Sequence, residues 1–429
     1  MSRRLTASRR RLPARLLALA SCAACVSAWP SPPSFSWATV PVFQHLASVN
    51  ASASAPFPPA RLAWLAATYP VVVLEHAHAM GAWAYEPPAG PGSVWGPAPF
   101  TPRGGFIEDA FLYTAAALKA RNASLTVLYY QQITGALPYY RASQALNANP
   151  TWKLDANCAP TAGASRDGSF VGDILPNYET YAWDHTRPGV TANFVANFVN
   201  MTAGDSPLDG TFIDTAACYS GAGQAAASIA TVAAMQAAVP GKIVGFHTES
   251  SLAGANGFSA AMDYTFAVPA KKAAAAAAAA APGKDTSGKA AVAWLDANFA
   301  AGVTSFAHIG DVAGGADMVY SLAVFLAGAN NNSYFAFSSA EKTAPAWEQC
   351  WDGGSPAAPV FPTWCSGQGW SPDFARPLGE PRGAAAPTGA GKDEVTRAFA
   401  SGTTVTVELS GNACTIAWAD GAQTTCAGR

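Results

Sequence analysis

Charge is scarce in this chain. Only 12% of its 429 residues are Asp, Glu, Lys or Arg, and neither sign dominates, with 25 bases against 27 acids. The bases are unevenly spread. Six arginines crowd the opening "MSRRLTASRRRLPAR", which holds no acid. Beyond it, 19 bases face 27 acids, a net charge near −8. An acidic surface repels polyphosphate and anionic lipid, which excludes a nucleic-acid or membrane-surface binder. Long apolar runs are missing as well: "LLALASCAACV" is far shorter than the roughly 20 residues that span a bilayer. Zinc-binding spacing is also lacking, because the six cysteines beyond residue 28 form no Cys-x-x-Cys pair and no Cys/His cluster.

What the N-terminus does have is the pattern of a secretory leader. A basic start, a short apolar stretch and "VSA" before Trp29 predict a signal peptide over residues 1–28. The mature protein is then expected outside the cell or in the secretory lumen, with no membrane attachment after cleavage. An oxidising compartment favours disulfides among Cys158, Cys218, Cys350, Cys365, Cys414 and Cys426. Six thiols allow fifteen pairings. Closeness in sequence suggests Cys350–Cys365 and Cys414–Cys426, leaving Cys158–Cys218. Sequons at Asn50, Asn122, Asn200 and Asn331 are glycosylation candidates on the same route.

Half the residues are hydrophobic, enough for a large core. Short β-branched and aromatic runs alternate with Ala-rich stretches, the pattern of βα units around a parallel sheet. Eight runs qualify as strands: 40–46, 70–78, 125–133, 210–216, 242–249, 260–268, 302–311 and 332–339. "ARLAWLAATY", "DAFLYTAAALKAR", "GVTANFVANFVNM" and "AAASIATVAAMQAAV" read as helices between them. The count predicts a single α/β domain, a (β/α)8 TIM barrel over residues 29–384. The gap between the fifth and sixth strands is too short for a full helix. Residues 84–105 and 134–183 read as long excursions, and "KKAAAAAAAAAPGK" as a surface helix. Residues 385–429 alternate with Gly turns, predicting a small C-terminal antiparallel β appendage closed by Cys414–Cys426.

Chemistry in such a barrel sits at the C-terminal ends of the strands. Here those ends are polar: His45; Glu75, His76 and His78; Tyr130 and Gln131; Asp214; His247 and Glu249; Asp263; His308 and Asp311. Five of the six histidines lie there. "DGTFIDTAACY" ends an apolar run on one acid, and a carboxylate at a strand end is costly unless paired or solvated. Asp214 could simply cap the next turn. A second carboxylate at Asp263 points instead to catalysis, because glycoside hydrolysis needs two carboxyl groups flanking the scissile bond. An ionised Asp214 would need donors, and His247 and Tyr130 on the neighbouring strand ends are the candidates.

The segments "FQHL", "EHAH", "VLYYQQ", "NPTWKLD", "WDHTRPGV", "LDGTFIDT" and "DFARPLGEPRG" follow one another across residues 38–420. In that order they resemble a family of TIM-barrel glycosyl hydrolases, distantly like the α-galactosidase and dextranase-type barrels. The resemblance implies Asp214 as nucleophile on the fourth strand and Asp263 as acid/base on the sixth. It also implies a glutamate where this chain has "MDYTF", so Glu249 and Glu75 stand in reserve as the second carboxylate. His45, Glu75, His78, Tyr130, Gln131, His247, Glu249 and His308 are then the residues expected to bind a carbohydrate substrate. No metal, no cofactor and a monomer are expected. Loop tryptophans Trp152, Trp183, Trp351, Trp364 and Trp370 would suit sugar stacking.

Two other readings compete. His76 and His78, one residue apart, would share a face on a strand and could hold a metal with His247, His308 and an Asp, as in a metal-dependent barrel hydrolase. A barrel that binds carbohydrate without turnover is the third reading.

Overall fold

The computed structural model describes residues 33–46, 57, 59–76, 78, 105–137, 139–155, 158–159, 181–215, 223–247, 258–263, 266–267, 287–309, 315–337, 370–388, 393–411 and 413–426. Eight parallel strands form one sheet in chain order: β1 (Phe43–Leu46), β2 (Val71–Leu74), β3 (Thr126–Gln132), β4 (Gly210–Asp214), β5 (Ile243–His247), β6 (Ala260–Asp263), β7 (Thr304–Ile309) and β8 (Ser333–Phe337). The sheet closes where Val42 bridges Phe335, the Phe335 amide donating to the Pro41 carbonyl at 2.9 Å. This is the expected TIM barrel, each strand falling inside its expected run.

Helices α1 (Pro59–Thr68), α2 (Ile107–Lys119), α3 (Pro188–Thr202), α4 (Gln224–Ala238), α5 (Gly288–Ala300) and α6 (Gly315–Gly328) lie between the strands. The last two were not among the four expected. Ala and Gly on both faces blur the 3.6-residue period there, so tertiary packing rather than pattern marks them. β5 and β6 pair directly as neighbours, and most of their connection lies outside the described residues, as does the polyalanine segment. Among the described residues no helix is long and apolar enough to cross a membrane.

The pleat sorts the strand residues into two cores. Phe43, Val71, Val73, Leu128, Tyr130, Phe212, Met262, Phe306 and Tyr334 fill the lumen. Their neighbours Val72, Leu74, Val127, Tyr129, Ile213, Val244, Ala261, Ala307 and Phe335 turn outward to the helices. Gly210 opens β4 because the backbone of β5 is too close for a side chain: a Cβ there would lie 1.9 Å from the Ile243 carbonyl oxygen.

The excursion after β3 carries a three-stranded antiparallel sheet of Gly135–Ala136, Tyr181–Trp183 and Lys153–Leu154. Cys158 there is disulfide-bonded, with its partner outside the described residues. The C-terminal strands Ala386–Pro387, β9 (Glu394–Ala398), β10 (Thr404–Glu408), β11 (Cys414–Ala417) and β12 (Gln423–Cys426) form a five-stranded antiparallel sheet. The expected Cys414–Cys426 disulfide joins two register partners, their Cα atoms 5.1 Å apart. Buried Arg397 fastens this sheet to α6, its Nη1 donating to the carbonyls of Leu326, Ala327 and Ala329. Tyr320 of α6 answers with its hydroxyl on the Glu408 carbonyl. Cys350 and Cys365 lie outside the described residues.

Candidate active site

Asp214 ends β4 in phase with lumen-facing Phe212, so its carboxylate turns into the mouth of the barrel. The two expected donors are on it. Tyr130 Oη donates to Oδ2 at 2.6 Å, and His247 Nδ1 lies 2.7 Å from Oδ1. The Thr215 backbone amide adds a third bond to Oδ1, at 2.8 Å. Burial would raise the pKa of this carboxyl. The bond and charge of His247, with the bonds from Tyr130 and Thr215, outweigh it and hold Asp214 below the usual carboxylate value. The side chain keeps 18% of its surface exposed, and that of His247 26%, so both can be reached from outside.

Tyr130 is itself held. Gln132 Nε2 donates to its hydroxyl at 3.1 Å, and the His76 ring lies 4.9 Å from its ring. His76 Nδ1 is bonded to Glu75 Oε1. His45 Nε2 stands 4.0 Å from the same Glu75 oxygen, and the His45 ring meets that of His308 edge-on at 5.5 Å. Asp214 is thus bonded to Tyr130, whose ring packs against His76, which is bonded to Glu75, across three adjacent strand ends. His45 and His308 line the floor of the mouth, both buried. Burial pushes the His308 pKa down to about 3, with His247 adding and the two aspartates opposing. Burial also holds the His45 pKa well below the ordinary imidazole value, helped by His308 and His76. These two rings are neutral packing and hydrogen-bonding groups at neutral pH.

Other expected residues are not brought together. β2 stops at Leu74, and the chain turns so that the His78 amide donates to the Glu75 carbonyl at 3.0 Å. Period-two alternation ends with the strand. His78 consequently packs outward between Phe57 and Phe111, its Nε2 2.8 Å from Thr114 Oγ1 on α2. The His76–His78 pair thus diverges, and among the described residues no three His, Cys, Asp or Glu side chains converge to hold a metal. Gln131 also faces the helices, where its Oε1 accepts from Asn197 of α3 at 3.2 Å. Asp263 is paired in register with Ala307, in the outward row, while lumen-facing Met262 pairs with Phe306. The pleat thus sets Asp263 out of phase with Asp214, yet its charge still reaches His308 on the floor of the mouth. Glu249, Asp311, Trp351 and Trp364 lie outside the described residues.

Three tryptophans serve packing. Trp183 is buried edge-on against Phe194, and Trp370 sits among Trp64, Tyr69 and Phe374. Trp152 lies over Gly189, where a Cβ would come within 2.1 Å of its ring. Gln132 was the residue missed. Counting by twos from Tyr130 would have found it, since Tyr130 and Gln132 share a face where Gln131 does not.

A second aspartate knot lies just after the excursion, at the entry to α3. Asp184 Oδ1 accepts from the Thr186 amide, the Thr186 hydroxyl and Gln224 Nε2, while Oδ2 accepts from Arg187 Nε at 2.8 Å. Beside it, His185 Nε2 lies 2.6 Å from the Ile133 carbonyl and Nδ1 3.1 Å from Thr231 Oγ1. Burial lowers the His185 pKa to about 4.

No protein-family model matches the chain, and no curated protein matches it. Solved structures do. The glycoside hydrolase domain of PelA from Pseudomonas aeruginosa is 17% identical, over 70% of this chain and 94% of that one, with a TM-score of 0.39. The acarbose-soaked debranching enzyme of Nostoc punctiforme is 11% identical, over 90% and 91%, with a TM-score of 0.48. The cyclic α-maltosyl-(1→6)-maltose hydrolase of Arthrobacter globiformis, in complex with its cyclic saccharide, is 12% identical, over 90% and 92%, with a TM-score of 0.45.

Proposed function

We propose that the chain is a secreted glycoside hydrolase acting on a poly- or oligosaccharide, with Asp214 as the ionised carboxylate at the barrel mouth. One observation carries this reading: a reachable strand-end carboxylate accepts from Tyr130, His247 and Thr215 and stays below the usual carboxylate pKa. A nucleophile for an anomeric carbon has to be ionised at neutral pH. Asp214 attacks that carbon as the bond to the leaving oxygen breaks, and the leaving oxygen takes up a proton. Water then releases the sugar and returns the proton.

The proton-delivering role belongs to Asp263, whose charge reaches His308 on the floor of the mouth, with the Glu75–His76 pair as the alternative donor. Glu75 is buried behind the more exposed His76, whose ring lies beside Tyr130. His76 is held through Nδ1 by Glu75 and stands beside Tyr130 at the mouth. Glu249, two residues beyond His247 in the sequence, is the remaining candidate.

A hydrolysis screen over a glycan panel tests the reading, with Asp214→Asn beside the parent. Turnover should fall by about a thousandfold, roughly 4 kcal/mol of barrier. Hydrolysis undiminished in that variant defeats the proposal. Glu75→Gln and His76→Gln should lose least on substrates with good leaving groups, which need little acid assistance. Asp263→Asn should likewise lose least on good leaving groups if it delivers the proton, and a large loss in Glu249→Gln instead would move that role there. Binding across the panel without turnover would leave a sugar-binding barrel. N-terminal sequencing of the exported protein should begin at Trp29.

A further inference from the structure

At the end of the barrel opposite the mouth, an open cleft of about 530 Å³ lies between the start of β1, the start of β8 and the approach to the C-terminal sheet. Its volume falls in the roughly 300–1,000 Å³ range of small-ligand sites. Phe35 forms an aromatic wall over buried Trp37, and Asn331, Gly379 and Glu380 complete the lining. The wall is rigid. The Gly379 amide donates to the Trp37 carbonyl, and Trp37 packs edge-on to Phe35 at 5.0 Å and beside Phe399 at 6.0 Å. Phe35 is in turn edge-on to Tyr334 at 5.6 Å.

Asn331 opens the sequon Asn331-Asn332-Ser333, and its side chain is exposed. Trp37 Nε1 donates to Asn331 Oδ1 at 2.7 Å, a bond across 294 residues of chain. That bond orients the amide and uses its oxygen only. Nδ2, the atom that bears a glycan, has no partner among the described residues. The sequon at Asn122 is different. Its Nδ2 donates to the Ala66 carbonyl at 2.8 Å, and its Oδ1 accepts from the Ser124 amide and hydroxyl. Both arms of that amide are committed to the local fold.

We propose that Asn331 carries an N-linked glycan whose first N-acetylhexosamine packs into this cleft against Phe35, with Trp37 as its floor. The apolar face of a pyranose suits the aromatic wall, and the Glu380 carboxylate can accept from a sugar hydroxyl. The reaction forms the Nδ2–C1 bond as the C1–O bond of a lipid-diphosphate-linked oligosaccharide breaks. Nδ2 loses one proton and the lipid diphosphate leaves. The inference rests on passage through the secretory route and is independent of the chemistry at the mouth.

The test uses the full chain behind an added secretory leader, made in a eukaryotic host or in translation with microsomes. Mass mapping should find the peptide containing Asn331 glycosylated, and Asn331→Gln should remove that mass alone. Trimming to one sugar should leave Tm unchanged, while complete removal by an amidase should lower it by several degrees. That difference should shrink in Phe35→Ala, which lacks the wall. An unmodified Asn331 in translocated protein, or a glycan whose removal shifts Tm equally with and without Phe35, overturns the proposal. Binding of free N-acetylglucosamine to a protein that stays unmodified at Asn331 would make the cleft a ligand site and overturn it too.

Discussion

Asp184 and Asp214 each follow a short buried strand, and each is held below the usual carboxylate pKa against the opposing effect of burial. They differ in where their donors come from. Asp184 is served by Thr186 and Arg187, two and three residues ahead, and by Gln224 at the start of α4. Its side chain is only 3% exposed. The knot fixes the entry to α3 against α4, with both carboxylate oxygens engaged. Asp214 is served by side chains of β3 and β5 on either side of its own strand, and it remains open to the mouth. An ionised strand-end carboxylate therefore points to chemistry only when its donors are themselves strand ends around an open space.

The largest expected contrast comes from removing the two charges separately. Asp214→Asn keeps the shape and its acceptor for Tyr130, so Tm should move by only about 2 °C while kcat/KM falls about a thousandfold. Equal loss of fold and activity would erase the distinction drawn here.

Acid should act on both regions through their histidines. His45, His78, His185 and His308 have pKa values lowered by burial, to about 3 for His78 and His308 and about 4 for His185. The unfolded chain takes up protons below about pH 6.5 that the folded chain refuses, so stability is lost as pH falls from there toward 4. Below about pH 3.8 the two aspartates add to the loss, since their folded values lie under the unfolded one. The urea midpoint should drop steadily across that window, by the equivalent of several kcal/mol. His185→Gln should flatten the slope without touching kcat; a midpoint independent of pH would count against neutral buried histidines.

Asp184→Ala should mirror the first variant. It leaves Arg187 and Gln224 without their acceptor and should cost about 3 kcal/mol of stability, seen as a lower urea midpoint. Turnover per folded molecule should stay at the parent value. A normal midpoint with lost turnover would move Asp184 into the functional class.

The smallest effect is expected from Tyr130→Phe. Loss of one hydrogen bond, about 1–1.5 kcal/mol, lets the Asp214 pKa rise. The acid limb of the kcat/KM profile should shift up by about one pH unit with kcat less affected. A purely structural Tyr130 would lower Tm and leave the limb in place.

The alternation of apolar runs with Ala-rich stretches was enough to mark all eight strands, because burial on both faces of a parallel strand leaves a local hydrophobic signature. The antiparallel tail was legible from its alternation and Gly turns, its Cys414–Cys426 bridge from closeness in sequence, and Asp214 with its two donors from the polar strand ends. What the chain pattern could not decide was phase at the strand ends. Whether His76 or His78, Gln131 or Gln132, faces the lumen depends on the residue where the strand stops and on the register of its neighbour. For Asp263 the deciding fact is its pairing with Ala307, a residue 44 positions away. Only closure of the barrel sets those registers. A shift of one residue turns a side chain from the mouth to the helices, and local sequence carries no record of that choice.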